Sequence, residues 1–176
     1  MPDRILVSYA SRTGTTAGVA EVIGETLAAG GLAVDVRPMH DVTDLVPYRA
    51  VVAGSAINGA QWLPDALAWV RDHRPELIRR PFAAFLVCMT LAMPGDPHHE
   101  EVRKWLQPVR DLVPPAREGL FAGALDISQL PSWRAKINFS ISVRLGVWSE
   151  GDHRDWDAVR SWAEELHQLF APGGKL

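Results

Sequence analysis

The turn Ser11-Arg12-Thr13-Gly14-Thr15-Thr16 carries the densest set of chemically useful groups in the chain. Ser11, Thr13, Thr15 and Thr16 offer hydroxyl donors, and Gly14 lets the backbone turn tightly and approach a ligand. A helix-periodic segment follows, and the start of a helix adds unpaired N–H groups and the positive end of its dipole. Together these groups suit a dianionic phosphomonoester. The turn lacks Gly-Lys-Ser/Thr and so is not a Walker A loop. It lacks Gly-x-Gly-x-x-Gly, the dinucleotide fingerprint. No aspartate pair follows the preceding apolar run, which argues against a metal-dependent phosphoacceptor site. With neither lysine nor metal ligand in the turn, phosphate is expected to be held by hydroxyls and amides alone, as riboflavin phosphate commonly is. The competing reading is a Ser/Thr cluster that only caps the helix.

Other reactive residues carry less. His98-His99-Glu100 resembles a metal cluster, but adjacent histidines diverge on a helix and no third ligand stands at the usual spacing, so an exposed helical turn is expected and no metal. Cys88 is the only cysteine, which excludes an intrachain disulfide; at the end of an apolar run it is expected to behave as a small hydrophobe, not a nucleophile. No Ser/His/Asp triad or carboxylate pair is evident, and no protein acid or base is assigned. Asp126 and Asp152 fall near the expected site edge and read equally well as turn residues.

The elements that must position the turn alternate along the chain. Apolar runs at 4–9, 32–37, 50–54, 82–89 and 120–126 predict strands, and helical spacing predicts helices over 17–29, 64–78, about 96–113 and 155–170. Asp96-Pro97 and Asp155 read as helix starts. Such alternation predicts an α/β protein, a parallel sheet with crossover helices on both faces, in a single domain over 1–176. Segment 127–149 is too long for an ordinary connection and reads as an insertion before the last helix. It contains Arg134, Lys136 and Arg144, no acidic residue, and Trp133 and Trp148. From 137 to 147 apolar residues alternate strictly, as in a strand. Wound as a helix, the same segment shows one stripe of Ile137, Ile141, Leu145 and Trp148 and another of Phe139, Val143 and Val147.

The chain has 176 residues, 47% hydrophobic and 22% charged, ordinary for a globular protein. A net charge of −3 argues against nucleic acid as a partner. No apolar run reaches the ~20 residues that span a bilayer, and no signal peptide is evident. A cytoplasmic protein is expected, either free or peripheral on the inner face of the membrane. The cationic, Trp-bearing insertion suits an anionic membrane surface or a hydrophobic substrate bearing carboxylates. A flap over the sheet edge or a homodimer contact is the alternative.

The turn resembles the flavodoxin phosphate loop, Ser/Thr-x-Thr-Gly-x-Thr, with Ser11, Thr13, Gly14 and Thr16 in the matching places and Thr15 in the variable one. A narrower similarity covers nearly the whole chain. Val52-Ala53-Gly54-Ser55-Ala56-Ile57, Pro81-Phe82-Ala83-Ala84-Phe85, Phe121-Ala122-Gly123-Ala124-Leu125, Asp155-Trp156 and the insertion resemble the flavodoxin-like, menaquinone-linked protoporphyrinogen IX dehydrogenases of haem synthesis. Met89-Thr90-Leu91-Ala92-Met93 departs from that family, whose corresponding loop is more polar and basic.

This resemblance implies a doubly wound, three-layer flavodoxin-like sandwich with a five-stranded parallel sheet in the order 2-1-3-4-5, and FMN as cofactor. It implies that Ser11 to Thr16, Arg12 included, bind the phosphate. It places 55–62 as a loop under the flavin ring, with Ser55, Ala56, Ile57, Asn58, Gly59 and Trp62 as cofactor residues, and Met89, Thr90, Leu91 and Ala92 as a second wall. Asn58-Gly59 is a turn dipeptide in which a backbone carbonyl could flip to accept a hydrogen bond from reduced flavin N5. Trp62 either stacks on the ring or packs as a staple on the next helix. For the insertion the resemblance implies a helix or irregular flap. The implied activity moves electrons from a reduced substrate such as a porphyrinogen through FMN to a quinone. Two other readings stand: an electron-carrier flavodoxin that docks redox proteins, and a scaffold that has lost its flavin.

Overall fold

The computed structural model describes residues 3–93, 98–130, 132–147 and 149–171. Five parallel strands form the central sheet: β1 (Arg4–Ala10), β2 (Ala33–Pro38), β3 (Tyr48–Asn58), β5 (Phe82–Cys88) and β6 (Arg117–Ala122), ordered β2-β1-β3-β5-β6. Counting the parallel strands alone, this is the expected 2-1-3-4-5. A short β4 (Gln61–Trp62) pairs antiparallel with the end of β3, and β7 (Ala124–Leu125) pairs with β8 (Gly151–Asp152) in a separate ribbon.

The strands bury both faces, so successive residues feed two cores. Ile5 and Val7 face the layer that includes Val19, Ile23, Val159 and Trp162, from α1 (Thr15–Ala29) and α7 (Trp156–Phe170). Leu6, Val51 and Ala53 face the layer that includes Trp62, Ala66, Val102 and Val109. Those residues belong to β4, α2 (Pro64–Asp72), α4 (His98–Lys104) and α5 (Gln107–Leu112). On the first face Phe121 and Trp162 meet edge-on at 5.6 Å, a favourable aromatic geometry.

Two helices read as continuous are each interrupted. The helix expected over 64–78 ends at Asp72, and a short α3 (Arg74–Leu77) restarts with Pro75 in its first turn. The one expected over 96–113 splits into α4 and α5, with Pro108 at the start of the second. Proline lacks the N–H for the helical bond and its ring opposes the carbonyl four residues back. The expected helix start at Asp96-Pro97 lies outside the described residues.

The third strand does not stop at Gly54. It runs on to Asn58, so 55–58 is strand, not loop. The insertion is helical: α6 spans Trp133–Arg144, and Ser132 caps it by accepting from the Ala135 N–H at 3.1 Å. No helix among the described residues is long and apolar enough to cross a membrane.

Candidate functional site

Parallel strands share one carboxyl edge, and a doubly wound sheet opens a crevice where its strand order reverses, here between β1 and β3. The Ser11–Thr16 turn leaves β1 at that edge. Gly14, with φ of 83°, occupies the left-handed region immediately before α1. The Ser11 hydroxyl accepts from the Gly14 N–H at 3.0 Å, which closes the turn on itself, and the Thr13 and Thr15 hydroxyls lie 3.3 Å apart. No side chain caps α1, and its first turn holds no acidic residue. The Ser/Thr cluster therefore does not cap α1, and the positive end of a 15-residue helix is left facing a hydroxyl-lined turn. Arg12, Thr13 and Gly14 are exposed, while Ser11 and Thr15 are half-buried. Thr16 is fully buried, and among the described residues its hydroxyl has no hydrogen-bond partner.

A cleft of about 270 Å³ opens beside this turn, lined by Thr13, Gly14, Thr15, Leu125, Asp126 and Arg154 among others. Its far wall comes from the insertion's approach and from the turn before α7. Asp126 accepts from the Ser128 N–H at 2.9 Å and so starts the short turn Ile127–Gln129. Asp152 holds Arg154 in a two-pronged pair, receiving Nε at 2.8 Å and Nη2 at 2.6 Å. Those bonds keep the Asp152 carboxyl below the usual carboxylate range, so this carboxylate is ionised at neutral pH.

Arg154 beside this turn was not singled out from the sequence: its guanidinium stands 3.4 Å from the Thr15 carbonyl. A signal was present in the order of elements. Helices α1 and α7 pack side by side on one face, and both begin at the carboxyl edge, so a basic residue just before α7 must lie near the start of α1.

The second predicted segment forms a hairpin. Ile57 pairs with Trp62 and Asn58 with Gln61, and Gly59 and Ala60 make the turn with φ of 58° and 62°. Both central residues are left-handed, the type I′ pattern favoured in two-residue hairpins. The turn dipeptide is thus Gly59-Ala60, one residue beyond the Asn58-Gly59 expected. Asn58 and Gly59 are exposed, and Ala56 and Ile57 are half-buried. Ser55, expected at the ring, is fully buried and accepts from the Leu63 N–H at 3.0 Å, tying the hairpin to the next helix. Trp62, for which stacking and packing stood side by side, is 1% exposed and lies in the core under α2. Of its two readings, packing describes where it sits.

The third segment, Met89 to Ala92, is a half-buried 3-10 turn leaving β5 at the same edge. Cys88, just before it, is buried, and burial pushes its thiol up to about 11. It is a neutral thiol at physiological pH, without nucleophilic character. His98 and His99 open α4, and among the described residues no group of three or more His, Cys, Asp or Glu could hold a metal.

A family model described as a flavodoxin domain matches residues 6–148. None of the curated proteins matches the chain. Among solved structures, a short-chain flavodoxin associated with a non-canonical PDU bacterial microcompartment is 11% identical, with 96% of this chain and 99% of that one covered and a TM-score of 0.60. The Streptococcus pneumoniae TIGR4 flavodoxin is 16% identical over 93% of this chain and 97% of its own, with a TM-score of 0.57. The two-electron reduced flavodoxin of Megasphaera elsdenii is 16% identical over 75% and 93%, with a TM-score of 0.53. At these identities the likeness is one of fold.

Proposed function

The chain belongs to the flavodoxin domain family, whose cofactor is FMN, and from that premise we propose that it is an FMN oxidoreductase acting on a hydrophobic, carboxylate-bearing reduced substrate of the protoporphyrinogen type, with a quinone as acceptor. Its residues fit the cofactor. The Thr16 hydroxyl is buried without a partner among the described residues, and such a group costs about 1–3 kcal/mol unless something bonds it. The uncapped start of α1, the Thr13 and Thr15 hydroxyls and the Gly14 backbone are the groups that would hold the phosphate. The hairpin tip at Asn58 and Gly59 and the Met89–Ala92 turn are the segments at the same edge left to meet the ring system. FMN held there would supply two-electron redox chemistry, while the protein binds and orients it.

The observation that carries the substrate class is helix α6. Trp133, Ile137, Ile141 and Leu145 recur every four residues and are 67%, 48%, 51% and 73% exposed. Arg134 and Arg144 stand on the same exposed arc, and residues 127–147 hold no carboxylate. Phe139 and Val143, on the opposite stripe, are half-buried. The outward stripe therefore offers apolar contact and positive charge together, a few residues beyond the Leu125, Asp126 and Leu130 wall of the cleft. That combination suits an apolar molecule carrying carboxylates, and equally the anionic lipid surface in which a quinone resides. A carrier that only docks basic redox proteins would be expected to present an acidic face there.

Steady-state oxidation of protoporphyrinogen IX with a soluble menaquinone analogue tests the reading. Turnover by the FMN-loaded protein alone is expected. Electron flow that requires both an added reductase and a protein acceptor would assign the carrier role instead.

A further inference from the structure

We propose that Arg154 is a phosphate-binding residue, a fixed cation supplied to the turn after β1 from the far end of the chain. The proposal rests on the FMN reading and adds to it a source of selectivity. Thr15 and Arg154 are 139 positions apart, yet Arg154 Nη1 lies 3.4 Å from the Thr15 carbonyl. Three groups hold the guanidinium: the Asp152 carboxylate, the Thr15 carbonyl and the Trp156 ring. Asp152 accepts from Nε at 2.8 Å and from Nη2 at 2.6 Å, and the Arg154 backbone N–H donates to the same carboxylate at 3.1 Å. The Trp156 ring lies against the guanidinium at 4.4 Å. Gly18 leaves the space it occupies, since a Cβ there would sit 2.7 Å from Nη1.

The Arg154 side chain is 18% and that of Asp152 45% exposed, so the pair is partly buried and its geometry is held. The position gives a reason to hold it there. Arg154 lines the same cleft as Thr13, Gly14 and Thr15, beside the uncapped first turn of α1. Among the described residues, Asp152 and Thr15 leave Nη1 and Nη2 an N–H each for a further acceptor. Guanidinium and helix N-terminus add their fields at one place, and a planar two-donor edge matches phosphate oxygens. Asp152 and Trp156 are positioning residues in this arrangement.

The test compares dissociation constants for FMN and for riboflavin, which lacks the phosphate, in the wild type, Arg154→Gln and Arg154→Lys, at low and high salt. Loss of a charge-assisted bond weakens binding by about tenfold to a hundredfold, so Arg154→Gln should lose that much FMN affinity while riboflavin affinity stays unchanged. Arg154→Lys should recover part of it. Wild-type FMN affinity should fall with salt more steeply than that of Arg154→Gln. Wild-type FMN affinity in Arg154→Gln, or an equal loss for both flavins, overturns the proposal. If Arg154→Gln does not fold, a salt-independent wild-type FMN affinity overturns it as well. A wild type that binds FMN no better than riboflavin removes the phosphate role of Arg154 and of the Ser11–Thr16 turn together, whereas tighter FMN binding left unchanged by Arg154→Gln removes Arg154 alone. A wild type that binds neither flavin removes both.

Discussion

Ala60 holds a backbone conformation that an L-residue adopts reluctantly, with φ of 62° at the second central position of the β3–β4 turn. The left-handed region costs a side chain about 1–2 kcal/mol, partly offset by the smaller unfolded-state entropy of alanine relative to glycine. Ala60→Gly should therefore raise stability by about 0.5–1 kcal/mol, read as a higher urea midpoint at constant slope. An unchanged or lower midpoint would contradict the type I′ turn. Chemistry that is local was legible at this scale. Ser11, Thr13, Gly14 and Thr16 stand within six residues of one another, and the turn they form needs nothing distant. Arg154 was not legible, because its place depends on α7 packing beside α1. Trp62 was ambiguous for a similar reason: an indole before a helix packs or stacks according to how the hairpin folds back, and pairing with Ile57 turns it inward.

Among the elements, α6 shows how two periods can fit one sequence. The alternation from 137 to 147 reads as a strand, and the same residues also make two helical stripes. The ends decide. Ser132 caps the first turn, and Gly146, left-handed with φ of 72°, closes the last. Its N–H donates to the Val143 carbonyl at 3.0 Å and that of Val147 to Ser142 at 2.9 Å, the paired bonds of a Schellman stop. Trp148, read as part of the outward stripe, lies outside the described residues, and Val147 follows the helix rather than lying in it. If the exposed stripe meets lipid, the double variant Ile137→Asp, Ile141→Asp should lose about tenfold or more in binding to phosphatidylglycerol vesicles, since each aspartate replaces roughly 1.5–3 kcal/mol of apolar burial by a charge. Neutral phosphatidylcholine vesicles should bind the wild type more weakly. Equal binding of both proteins, or of both lipids, would count against the membrane contact. The apolar period runs through Pro75 and Pro108 and so predicts continuous helices over 64–78 and 96–113, while the N–H that each proline lacks interrupts both.

For the molecule as a whole, the order of elements carries the function. Parallel pairing delivers the ends of β1, β3 and β5 to one edge, and the reversal of order between β1 and β3 opens the crevice there. Alternation of strands and helices was enough to read the parallel sheet and its shared edge, because right-handed crossovers admit few alternatives, while the strand order and its reversal came from the flavodoxin resemblance. The net charge of −3 hides an uneven distribution, with the carboxylate-free stretch over 127–147 set against an otherwise acidic chain. Composition alone averages such a contrast away; the fold restores it by setting α6 beside the turn that borders the cleft. The account stands or falls on whether the Ser11–Thr16 turn takes the phosphate of FMN. Titrating flavin-free protein with FMN, followed by flavin fluorescence and visible absorbance, tests this most directly. Quenching that saturates at one FMN per chain, with a shifted absorbance band, is the expected result; flavin that stays bright and unshifted at every protein concentration would contradict it.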